Sequence, residues 1–315
     1  MPRVLVTGAN GFVGAAVCRH LLAQRWQVRG SLRHDSAVAP EGVEAVVSGP
    51  LDGTTDWTSV LTEVNSVVHC AARVHVSRES ETDPLAAFSR VNVEGSRRLA
   101  EQAAAAGVGC FVYLSSIGAA AAESKPDGAE PDGASPYQKS KLEAEAALRQ
   151  SVGNSGMVLV MLRPPLIYGP GAPGNFARLV RLVASGLPLP LAGLENRRSL
   201  LYLGNLIAAI ESALACRTSP AAPLPLADGE DLSTPELTRR IGRACGRPAR
   251  LFPVPRGLLH LAGRLLGRER AIAALTGSLT IDNSAIHKAL GWTPRFSVDE
   301  GLAITFQKQR QRQRT

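Results

Sequence analysis

The chain has 315 residues, of which 45% are apolar, and a formal net charge of +8. This length suits one large α/β domain or two coupled lobes, and the apolar fraction is that of a soluble globular protein rather than a disordered or membrane-embedded one. Four positive charges lie in the tail QKQRQRQRT at 307–315, leaving +4 for the rest, so charge alone does not indicate nucleic-acid binding. The tail has no apolar residue and is predicted to be a basic disordered segment.

The five cysteines show neither a metal-ligand spacing nor a disulfide-like pattern; they lie at positions 18, 70, 110, 216 and 245. Reduced thiols in a cytoplasmic protein are the simplest interpretation, and no metal site is predicted. The sequence shows no apolar signal core at its start and no apolar run of about 18 residues, so we expect neither secretion nor a membrane span.

In the first half, short β-branched runs alternate with stretches rich in Ala, Leu and Arg, which is typical of βαβ units around a buried parallel sheet. Strands are predicted at 3–6, 27–32, 45–48, 66–70, 110–114 and 158–163. Helices are predicted at 12–24, 56–63, 84–106 and 136–151. This order predicts an α/β fold with a doubly wound parallel sheet, the Rossmann arrangement.

The sequence changes character after residue 164, because two stretches dense in Pro and Gly interrupt regular elements. A strand at 200–203 and helices at 206–215, 233–247 and 256–275 follow. We expect a dinucleotide-binding domain at 1–165 and about 200–228. A smaller C-terminal substrate-binding lobe is expected at 166–199 and 229–306, with the disordered tail at 307–315.

The first strand runs into a glycine-rich turn in VLVTGANGFVGAAV, with glycines at 8, 11 and 14. Glycine permits a tight turn and lets backbone N–H groups approach a pyrophosphate, to which the following helix adds its partly positive N-terminus. At a strand-to-helix junction, this spacing predicts a dinucleotide site.

A tyrosine and two lysines open a predicted helix in SPYQKSKLEAE at 135–145. Residues four apart share a helix face, so Lys141 can face Tyr137, whereas Lys139 points away. An ammonium group beside a phenol lowers the phenol pKa, so Tyr137 is predicted to exchange protons near neutral pH.

Together with these motifs, six further stretches resemble the extended short-chain dehydrogenases/reductases of the NAD-dependent epimerase/dehydratase family. They are VVHCAA at 67–72, VNVEGSRRL at 91–99, YLSSIG at 113–118, LRPPLIYGPG at 162–171, RSLLYLGNL at 198–206 and LGWTPRFSVDEGL at 290–302. The resemblance covers nearly the whole chain. The family includes nucleotide-sugar 4-epimerases, sugar 4-keto-reductases and dihydroflavonol-type reductases.

The resemblance implies that Tyr137 is the acid/base, that Lys141 lowers its pKa and holds the nicotinamide ribose, and that Ser116 hydrogen-bonds the reacting oxygen. The cofactor contacts that it implies are Gly8, Asn10, Gly11, Phe12, Val13, Gly14, Arg33, Leu51, Ala71, Ala72, Asn92, Tyr137, Lys141 and Pro164. For Asn92, a hydrogen bond to backbone within a buried helix is an equally good interpretation. His69, in a predicted strand, is expected to be a packed core residue.

Two departures from the family pattern bear on the cofactor, which is NAD or NADP. The second strand ends VRGSLRHDS, with no acid to meet a ribose 2′-hydroxyl and with Arg33 nearby, which slightly favours NADP. Pro50 stands where the family has an aspartate that meets the adenine, and Asp52 is an open alternative.

For the substrate, Asn175, Ser116 and Arg198 match positions that contact a UDP-sugar, with Arg197 an alternative to Arg198 as the diphosphate contact. The resemblance implies NAD(P)-dependent 4-epimerisation or 4-keto reduction of a UDP-hexose by a homodimer, without a nucleic-acid partner. Dehydration is disfavoured because Ile117 and Gly118 follow Ser116 where dehydratases carry an acid. The alternatives are a sterol- or dihydroflavonol-type ketone reductase and, less favoured, a non-catalytic NADPH-binding scaffold.

Overall fold

The computed structural model describes residues 1–74, 82–123 and 133–312. The chain divides into two compact units. Unit 1 comprises Met1–Pro164, Ile207–Leu226 and Ser284–Trp292. Unit 2 comprises Pro165–Leu206, Ala227–Asn283 and Thr293–Thr315.

The strands of the described residues form two sheets. They are β1 Arg3–Thr7, β2 Gln27–Leu32, β3 Glu44–Val47, β4 Ser66–His69, β5 Cys110–Leu114, β6 Val158–Arg163, β7 Leu166–Tyr168, β8 Arg198–Tyr202, β9 Leu224–Pro225 and β10 Asp231–Leu232. In unit 1, seven strands pair in the order β3-β2-β1-β4-β5-β6-β9, and every pairing is parallel. This confirms the predicted doubly wound sheet.

Twelve α-helices lie in the described residues, and the last five follow one another after β10. The helices are α1 Phe12–Ala23, α2 Pro84–Ser89, α3 Gly95–Ala105, α4 Ile117–Ala120, α5 Pro136–Val152, α6 Gly174–Ser185, α7 Leu203–Leu214, α8 Thr234–Ala244, α9 Arg256–Leu265, α10 Glu269–Thr276, α11 Ser284–Leu290 and α12 Val298–Arg312. A π-helical turn at Arg90–Glu94 joins α2 to α3. Within the described ranges, no helix has the length and apolar character needed to cross a lipid bilayer.

The main core of unit 1 lies between the sheet and helices α3 and α5. Phe111 and Leu159 of the sheet are buried against Leu99 of α3 and Leu148 of α5. Burying aliphatic and aromatic side chains of this size contributes about 1.5 to 3 kcal/mol each. The core therefore fixes α5, and the residues on its first turns, relative to the carboxyl ends of β4 and β5.

The predicted helix at 56–63 is wrong, since this segment consists of turns. Trp57, Val60, Leu61 and Val64 have the spacing of a helical face, and all four are buried in the core. The amide of Leu61 bonds to the Trp57 carbonyl at 2.8 Å, but that of Val64 bonds to the Leu61 carbonyl at 3.1 Å, only three residues back. The segment is thus too short and tightly turned to continue as an α-helix.

Three other elements differ from the prediction. The helix predicted at 256–275 is divided into α9 and α10, with Gly267 between them at φ +63°. The strand predicted at 200–203 is β8, which pairs with β7 and β10 in a separate three-stranded sheet of unit 2. Helix α12 continues to Arg312 and so includes most of the segment predicted to be disordered, whose last residues, 313–315, lie outside the described part of the chain.

Candidate active site

The turn between β1 and α1 is held tight by glycines. Gly8 has φ +65°, a left-handed conformation that favours glycine, and its carbonyl accepts a hydrogen bond from the Gly11 amide at 2.9 Å. A Cβ atom on Gly14 would lie 2.1 Å from the Gly8 carbonyl oxygen. Only glycine at position 14 lets the first turn of α1 pack against this loop, which places the helix N-terminus at the end of β1.

The end of β4 forms the other side of this loop. A Cβ atom on Gly8 would approach the Cα atom of Ala71 to 3.1 Å. The Ala71 amide donates to Thr7 Oγ1 at 3.1 Å. The structure therefore brings Gly8, Gly14 and Ala71 together, which are three of the residues predicted to contact the cofactor.

Ser116 and Tyr137 lie close enough for the serine hydroxyl to affect the phenol, lowering its pKa. Ser116 caps α4, where its Oγ accepts from the Gly118 amide at 3.1 Å. Tyr137 lies in the first turn of α5, whose start is set by a capping box between Ser135 and Gln138. The geometry thus pairs the two side chains that the resemblance assigned to the reacting oxygen.

Burial raises the pKa of Tyr137, and the nearby Ser116 hydroxyl opposes this shift. The sequence predicts the opposite direction, a pKa lowered by Lys141. The difference has a physical reason, because a phenolate in a desolvated site is costly. A lowered pKa at Tyr137 therefore requires further positive charge, such as that of an oxidised nicotinamide ring.

Lys141 is buried and its ammonium group donates to two partners. Its Nζ lies 3.1 Å from Tyr113 Oη and 2.8 Å from the Leu114 carbonyl oxygen. Burial lowers the pKa of Lys141 to about 7, while the carboxylate of Glu145 acts in the other direction. Lys141 is thus a lysine that can change charge near neutral pH, whereas Lys139, two residues earlier, is only half-buried.

Two buried hydrogen bonds link the glycine turn to α3 through His69. Thr7 Oγ1 lies 2.6 Å from His69 Nδ1, and His69 Nε2 lies 2.9 Å from Ser96 Oγ. Tyr113 accepts from Lys141; burial raises the pKa of Tyr113, and the nearby Ser96 hydroxyl opposes that shift. His69 is fully buried and its pKa is lowered to about 3, so it is neutral and structural, which confirms its prediction as a core residue.

Glu145, which the sequence analysis missed, lies on α5 four residues beyond Lys141 and is fully buried. Arg163 at the end of β6 donates to its two carboxylate oxygens at 2.9 and 2.6 Å, and Ser115 Oγ donates at 2.5 Å. The signal for Glu145 was its regular spacing with Tyr137 and Lys141 on one helix face. The buried ion pair of Glu145 and Arg163 holds in place the face of α5 that carries Tyr137 and Lys141.

Asn92 lies in the π-helical turn and is buried. Its Oδ1 accepts from the Arg73 amide at 2.8 Å, and its Nδ2 donates to the Arg73 carbonyl at 3.0 Å and to Ser140 Oγ at 3.0 Å. Of the two interpretations of Asn92, the backbone-bonded one is thus observed. Its contact with a cofactor remains a prediction.

The remaining predicted cofactor residues lie around the carboxyl ends of the strands. Arg33 is exposed just after β2. Asp52 Oδ1 accepts from the Thr54 amide at 2.9 Å and from its hydroxyl at 2.7 Å, and these bonds lower the pKa of Asp52. The Pro164 carbonyl, after β6, accepts from the Ile117 amide at 2.9 Å. The described residues contain no cluster of three His, Cys, Asp or Glu side chains that could hold a metal ion.

Both predicted diphosphate contacts belong to unit 2. Asn175 is exposed on the first turn of α6. Arg198 at the start of β8 is half-buried, and its Nη1 donates to the carbonyls of Ala274 at 2.7 Å and Gly277 at 3.1 Å. Burial lowers the pKa of Arg198, while Arg197 is exposed.

A glycine turn after the first strand of a parallel sheet, with a Ser after β5 and a Tyr and a Lys in the first turns of α5, is typical of dinucleotide-dependent enzymes. A sequence profile of the NAD dependent epimerase/dehydratase family matches residues 4–222. The chain belongs to this family and is an NAD-dependent enzyme of the extended short-chain dehydrogenase/reductase type.

Three similar proteins illustrate the range of the family. A UDP-glucose 4-epimerase from Vibrio cholerae is 36% identical, over 98% of this chain and 95% of its own length. A 3-beta-hydroxysteroid dehydrogenase from Mycolicibacterium neoaurum is 29% identical, over 96% of this chain and 89% of its own. The solved structure of MoeE5 in complex with UDP-glucose and NAD is 25% identical with a TM-score of 0.75, covering 99% of this chain and 100% of that one.

Proposed function

We propose that the protein is an NAD(P)-dependent enzyme that acts at C4 of a UDP-linked hexose, as a 4-epimerase or as a reductase of the corresponding 4-keto sugar. The observation that carries the proposal is the proximity of Ser116 to Tyr137, with Lys141 one turn further along the same helix. Similarity to the Vibrio cholerae UDP-glucose 4-epimerase over nearly the whole chain supports this substrate class.

In this proposal Tyr137 takes the proton of the C4 hydroxyl and later returns it, while Ser116 orients the C4 oxygen. When bound, the dinucleotide supplies the hydride acceptor at C4. Lys141 holds the cofactor ribose and contributes positive charge near Tyr137, which favours the phenolate form that accepts the C4 hydroxyl proton. Ile117 and Gly118 provide no second acid or base after Ser116, so elimination of water is not proposed.

We further propose that NADP(H) binds at least as well as NAD(H). Arg33 is exposed just after β2, no Asp or Glu stands at the end of that strand, and a guanidinium group pairs well with a 2′-phosphate. Dissociation constants of the two dinucleotides test this directly. A tenfold preference for NAD would overturn it.

For the substrate, we propose that Arg198 and Asn175 contact the diphosphate. The bonds of Arg198 Nη1 to Ala274 and Gly277 fix the guanidinium group, whose Nε and Nη2 carry three further N–H donors. Such charge-assisted bonds suit phosphate oxygens.

Calorimetric titration with UDP, dTDP and a free hexose tests the proposed substrate. UDP should bind most tightly, and Arg198→Ala should weaken UDP binding by about 1.5 to 3 kcal/mol, with Arg197→Ala as the control.

The second candidate function is reduction of a sterol- or dihydroflavonol-type ketone, which the steroid dehydrogenase relative favours. It replaces the first if no nucleotide binds while an apolar ketone is reduced. The predicted homodimer and cytoplasmic location remain predictions.

A further inference from the structure

Helix α9 in unit 2 exposes a stripe of leucines. Leu258, Leu261 and Leu265 are exposed by 56%, 53% and 79%. Their spacing of three and four residues places them on one face of the helix. Leu266, immediately after the helix, is 72% exposed and extends the stripe.

The opposite face of α9 is firmly packed. Leu259 is buried, and a Cβ atom on Gly263 would lie 2.6 Å from Ile272 Cγ1 of α10. Gly263 thus permits a close approach between the two helices. Helix α9 already buries one apolar face against its own unit. The exposed leucines therefore form a second apolar face, separate from the one that packs in the core.

The border of this stripe is cationic. Three arginines lie on α9 or within two residues of Leu266, and they are Arg256, Arg264 and Arg268; residues 256–268 contain no Asp or Glu. All three are exposed. Arg264 approaches Glu269 at 3.8 Å, but with both side chains largely in solvent this pair is weak. An apolar stripe with a positive border is the pattern of a helix that lies in the headgroup region of a membrane.

We propose that this surface, formed by the four leucines and three arginines and here called the α9 surface, docks onto a lipid bilayer with anionic headgroups. The leucines enter the boundary between headgroups and acyl chains, and the arginines pair with phosphate groups at the surface. A second copy of the chain fits less well, because a symmetric interface would set this arginine-rich surface against itself. The enzyme would then work on the surface of a membrane without spanning it.

Vesicle flotation of the full chain tests the proposal. The protein should float with vesicles in which about a third of the lipid is phosphatidylglycerol and not with pure phosphatidylcholine vesicles. Leu261→Gln/Leu265→Gln should reduce the bound fraction at least tenfold. Arg264→Gln/Arg268→Gln should reduce it too, and added salt should weaken wild-type binding. Leu187→Gln is the matched control, since Leu187 is 63% exposed but lies outside the α9 surface.

The variants change only exposed side chains, so their cofactor affinity and thermal unfolding should match the wild type. Three outcomes would overturn the proposal. The wild type stays unbound on anionic vesicles, or the leucine double variant floats as well as the wild type. In the third outcome, neither the wild type nor any variant floats, the wild type is an oligomer, and the leucine double variant is not. That result would assign the α9 surface to self-association.

Discussion

Replacing Lys141 with methionine should make the free protein more stable while destroying its function. Lowering a lysine pKa from 10.5 to about 7 corresponds to about 5 kcal/mol in favour of the neutral amine. At pH 7 this pKa shift lowers the free energy of unfolding by about 4 kcal/mol. The unfolded chain keeps Lys141 protonated, whereas about half of the folded molecules carry it as the neutral amine. Methionine removes that cost but also two hydrogen bonds, to Tyr113 and Leu114, worth about 1 kcal/mol each. The expected net gain is about 2 kcal/mol.

The gain should depend on pH with a definite sign. Since the pKa of Lys141 is depressed in the folded state, the penalty on the charged form is complete below pH 7 and disappears as pH rises towards 10.5. At pH 9 the cost falls to about 2 kcal/mol, so Lys141→Met and the wild type should be about equally stable. Urea unfolding at both pH values measures this.

Lys139→Met is the matched control and should change stability by less than about 0.5 kcal/mol, because Lys139 is only half-buried, whereas Lys141 is fully buried. Lys141→Met should also weaken dinucleotide binding at least tenfold, whereas Lys139→Met should not. The reasoning is refuted if Lys141→Met is less stable than the wild type by the same amount at pH 7 and pH 9. That result would mean that the ammonium group of Lys141 carries no net cost in the folded protein.

Two further substitutions test the residues around this lysine and the glycine turn. Tyr113→Phe removes the hydroxyl that accepts from Lys141 Nζ, so it should cost about 1 kcal/mol of stability and move the pH profile of turnover, while a purely structural role would leave that profile in place. Gly14→Ala should weaken dinucleotide binding at least 100-fold in titration, because its Cβ would meet the Gly8 carbonyl at 2.1 Å. Gly257→Ala, with nothing within 4 Å of its Cβ, should bind normally, and equal binding by both variants would contradict the role of the turn.

Elements with local signals were predicted well. The strands at 27–32, 110–114 and 158–163 have the predicted bounds because β-branched and apolar runs end at turns on both sides. The segment at 56–63 shows the limit of that reasoning. The periodicity of its apolar residues identified which side chains are buried, but the same spacing is compatible with a series of turns under the sheet.

The site likewise has features that local sequence predicts and contacts that depend on distant segments. The glycine turn and the positions of Tyr137 and Lys141 on one helix follow from local spacing, but the direction of the Tyr137 pKa shift does not. The contacts of Glu145 with Arg163, and of His69 with Ser96, join segments 18 and 27 residues apart. These two contacts depend on which strands of the sheet end beside α5 and α3. A lysine pKa near 7 likewise follows from burial, which the helix pattern alone does not give.

The central claim is C4 chemistry on a UDP-hexose with Tyr137 as the proton carrier. Its most direct test is to incubate the purified enzyme with NAD and a panel of UDP-hexoses and to follow the anomeric protons by NMR. We expect at least one sugar to give its C4 epimer, or its 4-keto derivative to be reduced with NAD(P)H. Tyr137→Phe should lower that rate by about 10² to 10⁴ while dinucleotide binding is kept. The claim is contradicted if no UDP-hexose or 4-keto derivative changes at C4, or if Tyr137→Phe retains more than half of the wild-type rate.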